Sequence, residues 1–149
     1  MSKNKNRVYI PKTFESDSQF LIGRTYDTSA NIYMSMMLSP AWFKLSKAQQ
    51  VLYMYCKAQY YGKNKKEHKE LLTAEEILEK KEVDTSKRFF MNREMWLNFY
   101  KIYPDNGQFY KDMKVLCDIG FIKTIERNQN TKKRNIYEFS DSWRHYEKE

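Results

Sequence analysis

The chain has 149 residues and a formal net charge of +8. That length suits one domain with a hydrophobic core and is short for two. An aromatic fraction of 16% argues against a disordered, low-complexity chain, and the charge favours a polyanionic partner, nucleic acid before a membrane surface.

Residues 1–38 are predicted to form an arm that precedes the main domain, residues 39–149. Lys3, Lys5 and Arg7 open the arm, which either lies along DNA or is a frayed terminus. It lacks the apolar core of a signal peptide. Because no apolar run approaches the roughly 18–20 residues that span a bilayer, we expect a cytoplasmic protein without a membrane partner.

Capping signals predict the first helices. Residues 32–38 are apolar and fit either a strand or the start of a helix. Ser39 followed by Pro40 is typical of a helix N-terminus. Ser46 predicts the cap of a longer helix, which Gly62 would end. Its expected core face consists of Ala48, Leu52, Tyr55, Cys56 and Gln59.

A short inserted helix and a strand come next. Thr73 and Glu76 have the spacing of a capping box. Residues 63–70 form a charged run that is expected to be solvated. Its one histidine, His68, is a poor metal candidate, because zinc needs three or four convergent ligands. Residues 88–91 predict a short strand.

Asn92 predicts the cap of another helix, which extends to residue 103. One face is expected to carry Met95, Phe99 and Ile102, with Trp96, Tyr100 and Tyr103 beside it. Residues 104–107, Pro-Asp-Asn-Gly, have strong turn chemistry. A further helix follows at about residues 106–119, so the sequence predicts a helix-turn-helix.

The helix after the turn divides into two faces. Phe109, Met113 and Leu116 point one way, with Cys117 at the margin. The opposite face carries Gln108, Lys111, Lys114, Val115 and Asp118. Gly120 is expected to end the helix.

Two strands, residues 121–127 and 135–140, are predicted after Gly120. Ser140 and Asp141 can cap a short last helix, from which Trp143 would dock against the core. The predicted fold class is therefore α+β and mainly helical: a winged helix-turn-helix with a small antiparallel β-hairpin wing and an N-terminal extension.

The polar and basic residues of this region are the candidate DNA contacts. In a winged helix the helix and the wing face one side, the helix reading the major groove and the wing holding phosphates or probing the minor groove. The candidates are Asn106, Gln108, Lys111, Lys114, Arg127, Asn130, Lys132, Lys133 and Arg134. The alternative is that the basic run is a solvated hairpin tip and that the helix lysines serve solubility.

The sequence contains no recognisable catalytic constellation. It has two histidines, and its four glycines are isolated rather than gathered in a phosphate-binding loop. Cys56 and Cys117 fit small buried thiols in a reducing interior better than a disulfide or metal pair. We therefore expect no enzyme, cofactor or metal.

Three stretches resemble a known family. They are LSKAQQVLYMYCKAQYYG, RFFMNREMW and GQFYKDMKVLCDIGFIKTI. Together they resemble the N-terminal winged-helix domain of replication initiators from Gram-positive plasmids and related mobile elements, over roughly residues 45–140. The resemblance implies binding to double-stranded DNA at repeated sites, as a homodimer.

Full-length initiators carry a second region, whereas this chain ends soon after the predicted wing. An accessory protein of a mobile element is therefore the expected role, in transcriptional control, replication or conjugative transfer. It would work with protein partners in a nucleoprotein complex. The alternative is a protein-interaction module without DNA binding, with residues 96–103 or the N-terminal apolar segment as its interface.

Overall fold

A computed structural model describes residues 31–59, 71–80, 82–127 and 135–147. The helices are α1 (Met34–Met37), α2 (Pro40–Lys44), α3 (Lys47–Lys57), α4 (Ala74–Glu79), a π-helix (Glu94–Phe99), α5 (Asn106–Ile119) and a 3-10 helix (Ser142–His145). The strands are β1 (Arg88–Phe89), β2 (Ile122–Glu126) and β3 (Ile136–Phe139). This confirms the α+β class and the small antiparallel sheet.

The sheet has the order β1-β3-β2, with β3 in the centre and both neighbours antiparallel to it. Arg88 of β1 lies opposite Glu138, and Thr124 of β2 lies opposite Tyr137. Between β1 and β2 the chain forms the π-helix and α5. The sheet therefore holds both ends of the predicted helix-turn-helix segment.

The predicted helix caps are present. The Ser39 hydroxyl accepts from the backbone N–H of Trp42, and Ser46 forms a reciprocal capping box with Gln49. Thr73 forms the same arrangement with Glu76. Residues 34–37 are helical rather than extended, and α3 ends at Lys57, whereas Gly62 lies outside the described residues.

The core face of α3 is shifted relative to the prediction. Leu52 and Cys56 are fully buried, as expected, but Ala48 is exposed and Tyr55 is only half-buried. Tyr53, which was not predicted, is buried. Its ring meets three other aromatic rings, those of Trp42, Phe121 and Phe139. The face is shifted because α3 packs on α2 and the sheet as well as on α5.

The helix before the turn has π winding, which corrects its predicted face. Asn92 caps it as expected, with its side-chain oxygen accepting from the N–H of Met95 at 3.1 Å. The N–H of Tyr100, however, donates to the carbonyl oxygen of Met95, five residues back, at 2.7 Å. A wider turn rotates every later side chain relative to a 3.6-residue period. Phe99 is consequently 77% exposed, whereas Met95 and Ile102, which were predicted on the same face, are half-buried.

Trp96 takes the buried position instead. It is fully buried, and its ring stacks on Phe109 of α5 with centroids 4.5 Å apart. Tyr103 is also buried and meets Trp96 edge to face. These aromatic contacts fix the π-helix against the inner face of α5.

Arg88 ties α4 to the sheet. Its guanidinium makes two hydrogen bonds to the Glu76 carboxylate, of 2.7 and 3.0 Å, and one of 2.9 Å to the carbonyl oxygen of Leu71. Its Nε lies 3.5 Å from Glu138. Because of these Arg88 hydrogen bonds above all, the pKa of Glu76 falls from 4.5 to about 2.

This pKa shift predicts acid destabilisation. The folded-state pKa of Glu76 lies below its unfolded value, so its contribution to stability is complete above about pH 4.5 and is lost as the pH falls toward 2. Glu76→Gln should flatten this part of the pH dependence of the free energy of unfolding, measured with urea. The control is Glu75→Gln, which removes an exposed carboxylate from the same turn and should keep the wild-type profile. Equal profiles for wild type and Glu76→Gln would contradict the assignment.

Candidate nucleic-acid interface

Both ends of α5 are set by local chemistry. The Asp105 carboxylate accepts from the backbone N–H of Gln108 at 3.2 Å and caps the first turn. Gly120 ends the helix in the left-handed region, with φ of 103°. The helix spans residues 106–119, as predicted.

The inner face of α5 matches its prediction. Phe109, Met113 and Leu116 are all buried, and Cys117 is half-buried at the margin. Their packing against α3 and the π-helix leaves the opposite side of α5 facing outward. This inner face therefore orients the candidate DNA-contacting side chains.

The outer face of α5 is exposed and carries polar groups along its length. Gln108, Lys111, Lys114 and Asp118 are exposed on this face, and Asn106 is exposed at the start of the helix. Val115 departs from its predicted outward position, because it lies at the boundary and is half-buried against the core.

Tyr110 adds an aromatic ring that the sequence reasoning missed on this face, with 49% of its surface exposed. Its helical angle, between those of Asn106 and Lys114, could have revealed it.

Lys114 forms an ion pair with Asp118 on this face. Its Nζ lies 2.9 Å from the carboxylate, and the two side chains are 70% and 60% exposed. An exposed pair of this kind contributes little to stability, up to about 1 kcal/mol. A phosphate oxygen could therefore replace the carboxylate at Lys114 at little energetic cost.

The C-terminal half of α5 packs against β2, the strand that leads to Arg127. The Cys117 thiol of α5 is 3.7 Å from the Thr124 hydroxyl of β2. Burial raises the pKa of this thiol, whereas its hydrogen bond with Thr124 lowers it. Lys114 on α5 and Arg127 just after β2 therefore belong to two elements that contact each other.

The predicted wing residues are only partly described. Arg127 is exposed just after β2. The other wing candidates, Asn130, Lys132, Lys133 and Arg134, lie outside the described residues. The strands on either side run over 122–126 and 136–139, close to their predicted bounds.

Asp112 is the main polar residue that the sequence reasoning missed. It is 3% exposed and lies on the inner side of α5. Its carboxylate accepts hydrogen bonds from the Tyr103 hydroxyl at 2.6 Å and from the side-chain amides of Gln49 and Gln108 at 3.1 and 3.0 Å. Its helical angle, about 40° from that of the buried Leu116, was the available signal.

The described ranges contain no group of three or more histidine, cysteine or acidic residues that could hold a metal ion. Cys56 and Cys117 are free thiols, and burial raises the pKa of each. None of the helices in these ranges is both long enough and apolar enough to cross a membrane.

No family model matches the chain, and no curated protein or solved structure matches it. The surface consists of a 14-residue helix with exposed amides and lysines, beside a strand that is followed by an exposed arginine.

Proposed function

We propose that the chain binds double-stranded DNA through the outer face of α5 and the adjoining basic segment. The observation that carries this proposal is the exposure of Lys111 and Lys114 on α5, which packs against β2, the strand that leads to the exposed Arg127. Clustered cations on one side of a basic domain are the electrostatic requirement for phosphate contacts.

The order of elements supports a winged helix-turn-helix as the fold behind this function. The chain runs through α3, β1, the π-helix, α5, β2 and β3, and β1 pairs with β3. In that scheme α5, after the turn, is the recognition helix, and the connection between β2 and β3 is the wing.

The dimensions of α5 suit a major groove. Fourteen residues give a helix about 21 Å long, and the groove, about 12 Å wide, admits a helix. The N-terminal half would present Asn106, Gln108 and Lys111 to base edges. Lys114 and Arg127 would contact phosphates.

The proposed role is that of an accessory protein or transcriptional regulator of a Gram-positive mobile element, acting in gene control, replication or conjugative transfer. This part depends on the resemblance of residues 45–140 to initiator domains. Dimeric binding to repeated sites belongs to the same proposal, which assigns no catalysis or cofactor.

Selection of bound duplexes from a random DNA pool tests the function. The expected result is an enriched sequence motif, bound in a mobility-shift assay with an affinity that falls steeply as salt increases. A chain that shifts no duplex even at low salt would refute the proposal.

Neutralising the predicted wing should weaken binding to all sequences. The triple variant Lys132→Ala, Lys133→Ala, Arg134→Ala removes three phosphate-contacting charges. The slope of log affinity against log salt should therefore become shallower by about 2.7. The control variant Lys44→Ala with Arg144→Ala removes exposed cations from α2 and the 3-10 helix and should keep the wild-type slope. An unchanged slope in the triple variant would remove these residues from the interface.

A protein-interaction role is the second candidate. Its supporting observation is the exposure of large apolar side chains on and beside α1 and α2: Tyr33 at 56%, Met34 at 65%, Leu38 at 65% and Phe43 at 68%. The interface predicted at residues 96–103 is reduced mainly to Phe99, because Trp96 and Tyr103 are buried. Salt-insensitive retention on heparin, without a DNA shift at low salt, would favour this role.

A further inference from the structure

Three polar side chains are hydrogen-bonded to the buried Asp112, which lies one helical turn after Gln108 on α5. Asp112 Oδ1 accepts from Nε2 of Gln49 and of Gln108, and Oδ2 accepts from the Tyr103 hydroxyl. Gln49 also uses its Oε1, which accepts from the backbone N–H of Ser46 at 2.9 Å. The cluster thus joins the cap of α3, the residue before the turn, and the first half of α5.

The carboxylate determines which way each amide is oriented. A carboxylate only accepts hydrogen bonds, so the nitrogen end of each glutamine must face Asp112. For Gln49 this orientation agrees with its oxygen bond to Ser46. In Gln108 this orientation uses one N–H of the amide for Asp112. The carbonyl oxygen and the second N–H of the amide do not take part in that hydrogen bond.

Gln108 is the one glutamine of this cluster with an exposed side chain, and it lies in the first turn of α5. Residues near the N-terminus of a recognition helix are those that contact base edges. The amide is therefore held in one orientation before any ligand binds, which reduces the side-chain entropy lost on binding.

We propose that Gln108 recognises adenine in the major groove and that Asp112 is the positioning residue that fixes its amide. This inference rests on the proposed DNA-binding function. Adenine presents an N6 donor and an N7 acceptor, which match the remaining oxygen and N–H of Gln108. Guanine presents two acceptors, O6 and N7, and Asp112 already uses one of the two N–H donors that would satisfy them.

The test measures base preference position by position. The motif selected by the wild-type chain is resynthesised with each base pair at each position, and dissociation constants are measured by fluorescence anisotropy. One A·T pair is expected to be preferred by about 5- to 150-fold over its alternatives. Gln108→Ala should reduce the preference at that position to within about 2-fold. Asn98→Ala, which removes an exposed amide from the π-helix, should keep it.

Two further variants distinguish base recognition by Gln108 from the positioning of its amide by Asp112. Gln108→Glu cannot donate to Asp112, and its carboxylate is repelled by that residue, so the preference for adenine at the same position should be lost. Asp112→Asn can donate as well as accept, which frees the Gln108 amide to rotate. It should lower the adenine-over-guanine ratio at that position while leaving the other positions unchanged.

The outcomes are distinct. A wild-type chain without base preference anywhere refutes the proposed sequence-specific function itself. A wild-type motif that Gln108→Ala and Gln108→Glu leave unchanged overturns the adenine assignment, although DNA binding stands. If Asp112→Asn lowers the melting temperature and weakens all positions equally, Asp112 is a stabilising residue only and the positioning claim is overturned. If Asp112→Asn does not fold, the exposed Gln108 variants still decide the adenine assignment.

Discussion

Replacing both Lys111 and Lys114 by glutamate is expected to lower the affinity for the selected DNA site by at least about 100-fold. Both side chains are exposed on the outer face of α5, where each positive charge would face phosphates or base edges. The substitution removes two attractive charges and adds two repulsive ones at the same positions. Fluorescence anisotropy with the selected duplex, at about 0.1 M salt, measures the loss.

The matched control carries the same change in net charge elsewhere. Lys44→Glu with Arg144→Glu reverses two exposed cations on α2 and the 3-10 helix. It should lose less than about 10-fold in affinity, since distant charges are screened within about 10 Å at this salt concentration. Equal losses in both double variants would mean that overall charge, and not the α5 face, explains the binding. Circular dichroism confirms that both variants keep their helices.

Gly120→Ala is expected to lower the free energy of unfolding by about 2–4 kcal/mol. The backbone at Gly120 has φ of 103°, which side-chain-bearing residues rarely adopt. An added Cβ would also lie 2.7 Å from the backbone carbon of Ser142 and the nitrogen of Trp143. Backbone atoms cannot rotate away as a side chain can, so the 3-10 helix would have to move.

That movement would disturb a stacked aromatic pair. The backbone N–H of Trp143 donates to the carbonyl oxygen of Gly120 at 2.9 Å, and the indole ring of Trp143 stacks on the ring of Phe121. Urea unfolding measures the expected decrease in the free energy of unfolding. Gly107→Ala is the control, because its added Cβ would meet only Asp105 Oδ1 at 3.5 Å, and alanine is favoured over glycine in a helix. If both variants have the same stability, the close approach at Gly120 does not constrain the fold.

Helix ends could be predicted from the sequence because capping is local. The hydroxyls of Ser39, Ser46 and Thr73 each bond a backbone N–H three residues ahead. Asp105 and Gly120 likewise act within the turns that bound α5. Signals contained in four or five consecutive residues need no knowledge of the tertiary structure.

The faces of two helices could not be predicted as well. The π-helix has an i to i+5 hydrogen bond, so a 3.6-residue period groups Phe99 with Met95 and Ile102, although Phe99 is exposed and the other two are half-buried. Tyr53 is buried by rings from α2 and the sheet, which the periodicity of α3 cannot reveal. In both cases contacts between distant segments override the local pattern.

The candidate site was predicted in part. Its exposed α5 residues are where the helical period places them, whereas the anchoring of Gln108 by Asp112 was missed. One partner of Asp112, Gln49, is 63 residues away in the chain, so the cluster emerges only after α3 and α5 pack. The roles of Asn130, Lys132, Lys133 and Arg134 remain predictions from the sequence.

Amide chemical-shift mapping by NMR locates the ligand surface most directly. The whole chain is titrated with the selected duplex at about 0.1 M salt. The largest and saturable shifts are expected at residues 106–118 and at Arg127, with α1 and α2 little changed. Saturable shifts concentrated at α1 and α2, or no shifts at all, would contradict DNA binding through α5.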